Sequence, residues 1–482
     1  MTATKRKRLA IPDKWRNNHL FSFLCAHRET VLCLLFAAAA LFQGLVYSWK
    51  VPFGQTPDEI THYQYIEAEF GTTGYADELV TGLYFPAGMD RLPRNEKEKV
   101  DQAALDAASE NRFSTPLSLG SFHPQITAIR HLPCGIGFYL GIAMSLPMIW
   151  CTRLAEIFSV LFYTGMGFLI LRTTPVKKEI FAFCLLIPQV LQMCSSVNYD
   201  AVLIPCSFLL IAYILKLFYA ERSVCWRNLA LILFLTAVLA LVKLPYALIG
   251  LIMLIIPAEQ YRLNIGQKFE TARFIRKYRY PVLLALAAAA AAGLYLFRET
   301  VYVKTILSDL ADLPAFIALL RRNFITQTEV HITQMVGMFG WLDSRVPVLL
   351  MIAFFIMMTY LNASVTDATA EKLNTGRRIW LIFLFFAMVL VIEVVFQVWS
   401  YEFMEWDTGA DLTAYKGYIS QLPTILGVQG RYWIPGLPIL LVGASGIVQR
   451  KSRKVFWVSQ IIYYAVCFVT VLRVLNLRYW VG

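Results

Sequence analysis

The sequence predicts an all-α protein that crosses a membrane many times. Three observations predict it. Of 482 residues, 58% are hydrophobic and only 16% are charged, far from the balance of a water-soluble domain. Apolar runs recur that match a hydrocarbon layer ~30 Å thick, or that can cross it with neighbouring helices covering their ends. Between those runs, Lys and Arg collect in alternate loops.

The runs lie near 31–49, 152–171, 179–196, 201–219, 228–242, 245–257, 281–297, 346–361, 379–398, 433–448 and 455–473, which makes about eleven spans. Basic residues in short loops mark the cytoplasmic side. The N-terminal tail carries Lys5, Arg6, Lys7, Arg8, Lys14, Arg16 and Arg28, and every second loop agrees with it. Those loops hold Arg172, Lys177 and Lys178, then Arg222 and Arg227, the stretch from Arg262 to Arg279, Lys372 with Arg377 and Arg378, and finally Arg450 to Lys454. The net charge of +12 is therefore an orientation signal, and no nucleic-acid partner is expected. The first apolar run starts only after about thirty residues and reads as an uncleaved anchor. The nine cysteines show no CxxC spacing, so neither disulfides nor thiolate metal sites are expected.

The chain accordingly divides into a basic cytoplasmic tail over 1–30 and one membrane domain over 31–482. Three external segments are expected, at 50–150, 298–345 and 399–432. The first holds twelve acidic and seven basic residues between 50 and 132. Its middle, 96–111, reads as a solvated helix, and 134–150 as a helix lying in the interface. The second contains an amphipathic helix over 314–324, with Pro314 in its first turn.

The stretch VPFGQTPDEITHYQY, Val51 to Tyr65, follows the first span at the lipid boundary. With Pro57 in the first turn of a helix, Asp58 and Glu59 share a surface with His62. Two carboxylates and an imidazole so placed could take a proton or hold a divalent ion. The plain alternative is an acidic first turn that complements the helix dipole. Returning to the membrane, the segment carries His123 and His131, each beside a proline neighbourhood. Asn198 and Asp200 join two spans through a short turn, where Asp200 could simply cap a helix. Lys243 lies between two short apolar runs on the acidic side, against the positive-inside pattern, and calls for an anionic partner or snorkels. Asp343 closes a GWLD turn. Arg431 stands at a span entry behind two glycines, in GVQGRYWIP with Gln429 and Tyr432. Its planar fork suits a phosphate.

Taken together, PDEITH, the two His-Pro neighbourhoods, SVNYD, LVKLP, FGWLD and GVQGRYWIP resemble the DUF2142 family of membrane proteins. That family in turn resembles the GT-C glycosyltransferases. The resemblance implies a GT-C-like bundle of about eleven helices, in the cell membrane, whose active site on the external face lies beneath a first loop with an acidic motif. It implies a polyprenyl-phosphate or pyrophosphate sugar as donor, and an envelope glycan or lipid-linked acceptor. Asp58 or Glu59 would be the general base or a metal-associated carboxylate, and Arg431 with Lys243 would hold the donor phosphate. His62, His123 and His131 would support the base or, through Asp58, Glu59 and His62, a divalent ion such as Mg, Mn or Ca. Asn198, Asp200, Asp343, Gln429 and Tyr432 would line the site.

Two rival classes are a transporter or flippase of a lipid-linked or small anionic solute, and a non-catalytic polysaccharide assembly factor. The charges cluster at the rim and not at mid-bilayer, where transporters place substrate groups. No Walker loop, HExxH or nucleophile elbow occurs, so soluble nucleotide chemistry is disfavoured.

Overall fold

The computed structural model describes residues 28–84, 98–115, 122–221, 223–262, 295–365, 373–408, 424–445 and 453–481, with a few isolated positions between them. The tail over 1–27 and most of the span expected at 281–297 lie outside the described residues. Within them the architecture is helical, and five helices are long and apolar enough to cross a membrane.

The first helix, α1 (Arg28–Lys50), leads into a turn and then into α2 (Glu59–Phe70) and α3 (Tyr75–Gly82). Asp101 caps the short α4 (Gln102–Ala108) by accepting from the backbone N–H groups of Ala103 and Ala104, as a short polar side chain does best at that position. This helix falls inside the expected solvated stretch. A 3-10 turn (Ile126–Arg130) precedes α5 (Leu132–Ala143), which folds back on α6 (Met148–Thr173). Gly137 and Gly141 make that hairpin tight. A Cβ on Gly141 would sit 2.8 Å from Cys151 Cα, so only the absence of a side chain lets the backbones approach. The outer face of α5 presents Leu132, Ile136 and Leu140 at four-residue spacing, continued by the C-cap Met144, all exposed, as a lipid-facing stripe would be.

The expected span at 179–196 is broken. It forms α7 (Lys178–Leu185) and α8 (Pro188–Cys194), because Pro188 lacks the N–H that would continue the helix and disfavours helical geometry in Ile187 before it. Next comes α9 (Asp200–Tyr219), the central helix of the bundle, with 83% of its apolar stretch buried. It packs against α6 and against α10 (Trp226–Val242), which is followed by a 3-10 segment (Leu244–Ile255).

The second half of the chain contributes α11 (Val301–Ala311), α12 (Leu313–Gly337), α13 (Val348–Ala363) and the long α14 (Thr375–Thr408). The expected amphipathic helix over 314–324 is thus the start of a longer one. Buried polar side chains tie α14 to its neighbours. Asn323 donates to Glu393 at 2.9 Å and Gln397 donates to Asp309 at 2.8 Å, so these groups join neighbouring helices. The expected span at 433–448 is a 3-10 turn (Gly430–Gly436) followed by only α15 (Leu437–Gly443), since Pro435 and Pro438 interrupt the regular ladder. The last helix is α16 (Arg453–Tyr479).

One end of the bundle gathers the segments between helices. Trp341 donates to Gly54 O at 3.0 Å, Trp480 donates to Lys50 O at 2.9 Å, and Val100 N–H donates to Tyr479 O at 2.8 Å. The turn after α1, the external segment and the C-terminal helix are thereby fastened together. Most of the candidate residues singled out in the sequence lie at this end.

Candidate functional site

Asp58 opens the site. It is the N-cap of α2 and adopts φ 65°, ψ 7°, a left-handed conformation that non-glycine residues seldom take and that costs of order 1–3 kcal/mol. The helix starts at Glu59, so Pro57, expected in its first turn, stays outside it. This reversal turns the Asp58 side chain away from Glu59. Its carboxylate accepts from Arg431 Nη2 at 3.1 Å and stays half exposed, at 52% of its side-chain surface.

Arg431 is buried at the head of the 3-10 turn (Gly430–Gly436). Gly430 admits it there: a Cβ on Gly430 would collide with the His331 carbonyl on α12. Arg431 Nε also stands 3.7 Å from the buried carboxylate of Asp200 at the start of α9. Asn198 holds that start in place, its Oδ1 accepting the Asp200 N–H at 2.9 Å. The Asn198 amide nitrogen is buried with no hydrogen-bond partner among the described residues.

Lys243, between α10 and the 3-10 segment after it, is the second cation. Its Nζ lies 3.4 Å from the centre of the Tyr432 ring and 4.5 Å from that of Phe396, which stack on each other at 5.1 Å. Tyr246 donates to Tyr432 O at 2.9 Å and fixes that wall. Among the described residues no carboxylate lies within ion-pair distance of Lys243. Burial pushes its ammonium down to about 7, against the pull of Asp200.

Glu59 goes elsewhere. Its carboxylate accepts the backbone N–H of Gly54 at 2.9 Å and those of Thr56 and Val197 at 3.4 Å. It is fully buried, packed beside Glu156, Gln192 and Ser195. Burial, with the neighbouring Glu156 charge, pushes Glu59 up to about 8. The structure therefore separates Asp58 from Glu59, and Glu59 braces the turn over 51–56 against the start of the 195–200 turn.

His62 faces a third way. Its Nδ1 meets His131 Nε2 at 2.9 Å, and His131 Nδ1 meets Glu69 Oε2 at 2.7 Å. Arg130 Nε lies 3.8 Å from the other Glu69 oxygen. The Tyr199 ring packs edge-on against His62 at 4.9 Å. Burial, His131, Arg431 and Lys243, in that order, hold His62 well below the usual imidazole range.

The divalent-ion expectation at Asp58, Glu59 and His62 is corrected by this divergence. Each of the three side chains points to a different partner, and among the described residues no three His, Cys, Asp or Glu side chains converge on one point. His123 is also corrected: it is exposed and pairs by its backbone with Phe70 at the far end of α2, about 12 Å along the helix from His62. Asp343 is an anchor, ion-paired with Arg478 at 2.9 Å. Gln429 is half-buried, and its carbonyl accepts the Tyr432 N–H at 3.0 Å. Asp58, Arg431, Asp200, Asn198, Lys243 and Tyr432 are brought together, with His62 and His131 beside them.

The site also recruits residues that the motifs did not single out. Glu69 had a signal, since it lies seven residues after His62 and thus on the same helix face two turns on. Phe396, in the middle of an apolar run, had none.

Fold and site define a polytopic helical membrane protein with a polar, ionised cluster at one end of its bundle. Residues 41–440 match the family described as a predicted membrane protein, DUF2142, and the chain belongs to that family. No curated protein and no solved structure matches it.

Proposed function

We propose that the protein is a GT-C-type glycosyltransferase that moves a sugar from a polyprenyl-phosphate or pyrophosphate donor to an envelope glycan or lipid-linked acceptor. One observation carries this reading. Lys243 is held against two aromatic rings beside Arg431, with no carboxylate of its own among the described residues. A half-buried cation without a counter-ion is costly and is what an anion site requires. The fork of Arg431 and the point charge of Lys243 suit a phosphate, whose negative charge grows as the glycosidic bond breaks. Asp58, half exposed on Arg431, serves as the counter-ion that the donor phosphate displaces. A single displacement at the anomeric carbon would invert its configuration.

In this reading the bundle has about eleven spans, the N-terminus is cytoplasmic, and the Arg431 end faces outward in the cell membrane. The cations at the opposite end, among them Arg172, Lys177, Lys178, Arg377 and Arg378, support that orientation.

The break between α7 and α8 favours a second reading, because transporters build substrate sites from discontinuous helices. One assay separates the two. Membranes containing the protein, supplied with a panel of polyprenyl-phosphate hexoses, should release polyprenyl phosphate as sugar moves to the acceptor. Lys243→Met should stop this while leaving the protein folded, since no opposite charge is stranded. Exchange of the lipid-linked hexose across vesicles without bond cleavage would replace this reading with transport.

A further inference from the structure

With Glu69 ionised and both imidazoles neutral, the hydrogen bonds between Glu69, His131 and His62 permit one arrangement of protons. A carboxylate only accepts, so His131 must donate through Nδ1. Its Nε2 is then an acceptor, and His62 must donate to it through Nδ1. His62 Nε2 is left as a bare lone pair, with no hydrogen-bond partner among the described residues. Arg130 faces the second oxygen of Glu69, its Nε 3.8 Å away. The rings of Tyr65 and Tyr199 enclose His62 edge-on at 6.0 and 4.9 Å, and burial, with His131, Arg431 and Lys243 nearby, disfavours its charged form. A neutral imidazole oriented by a partner that is itself oriented by a carboxylate is how a general base is built. Asp58, by contrast, is already engaged by Arg431.

Resting on the glycosyl-transfer reading, we propose that His62 is the base that takes the acceptor's proton, with His131 and Glu69 as positioning residues. As the acceptor oxygen bonds to the anomeric carbon, its proton passes to His62 Nε2. The carbon–oxygen bond to the donor phosphate breaks, and its electron pair leaves on the phosphate oxygen, against Arg431 and Lys243. The imidazolium formed donates through Nδ1 to His131, and Glu69 offsets its charge. Its proton then returns to solvent.

The test uses the full chain in lipid, with the panel of polyprenyl-phosphate hexoses as donors. His62→Asn should lower kcat by about 10²–10⁴-fold and leave the affinity for polyprenyl phosphate unchanged. Asp58→Asn should shift the affinity for polyprenyl phosphate, because the carboxylate that competes for Arg431 is gone, while transfer persists because the base remains. Glu69→Gln should lower kcat by at least about tenfold at unchanged donor KM and move the acid limb of the pH profile to lower pH. Nitrogen-15 NMR of histidine-labelled wild type should show His62 neutral and protonated on Nδ1. A His62→Asn variant as active as wild type, a His62 protonated on Nε2, or transfer lost in Asp58→Asn alone would each overturn the assignment. Absence of transfer by wild type across the panel would instead overturn the glycosyl-transfer reading, and this inference with it.

Discussion

The two ends of the bundle treat their cations differently. At one end, Arg378 donates to the carbonyls of Ser445 and Gly443, Arg377 to that of Ile255, and Lys177 to that of Asn362, while Lys178 pairs with Glu29 at 2.8 Å. Most of these carbonyls belong to helix C-termini, where a basic side chain satisfies an orphan acceptor and meets the negative end of the dipole. At the other end, Arg431 is shared between Asp58 and Asp200, and Lys243 has only ring faces for company. The first set is consumed by the fold. The second set is held by side chains and ring faces at the site end, which is what the proposed phosphate site requires.

Substitution should reveal that contrast most strongly at Arg431. Arg431→Ala strands the buried Asp200 carboxylate and should destabilise the protein by about 3–5 kcal/mol. Arg378→Ala removes hydrogen bonds to carbonyls that water can replace and should cost about 1–2 kcal/mol. Chemical unfolding in detergent would measure both. Adding Asp200→Asn to Arg431→Ala should recover much of the loss, and equal costs for the two arginine variants would erase the distinction.

A smaller effect is expected from Glu59, which supports the site end without joining it. Its pKa rises from 4.5 to about 8 on folding. The folded chain therefore keeps a proton that the unfolded chain loses, so this group's contribution is full below pH 4.5, declines between 4.5 and 8, and is gone above. Glu59→Gln should flatten that decline in unfolding midpoints taken across the window, and should leave Lys243 and Arg431 free to bind an anion.

Much of the fold was legible in the sequence because hydrophobic length and loop charge act locally. The helices at 28–50, 148–173, 200–219 and 375–408 follow from them directly. The breaks at Ile187 and Pro435 were harder to read, since an apolar run spells a span whether or not a proline divides it. Single-position signals found Asp58, Lys243 and Arg431, each a charge out of keeping with its surroundings. Their partnership was invisible, because Asp58 and Arg431 are brought together from opposite ends of the chain. The left-handed turn at Asp58 was equally hidden, and it decides that Asp58 and Glu59 serve different purposes.

The central claim is that Lys243 and Arg431 together hold a phosphate. Its most direct measurement is the affinity for polyprenyl phosphate between pH 7 and 9, where a phosphate monoester, with a second pKa of about 6, is already ionised. With Lys243 pushed down to about 7 in the free protein, binding must restore its proton, so wild-type affinity should fall as pH rises, by up to about tenfold per pH unit. Lys243→Met should bind more weakly at pH 7 and show little dependence on pH. Equal affinity and equal pH dependence in the two proteins would contradict the claim.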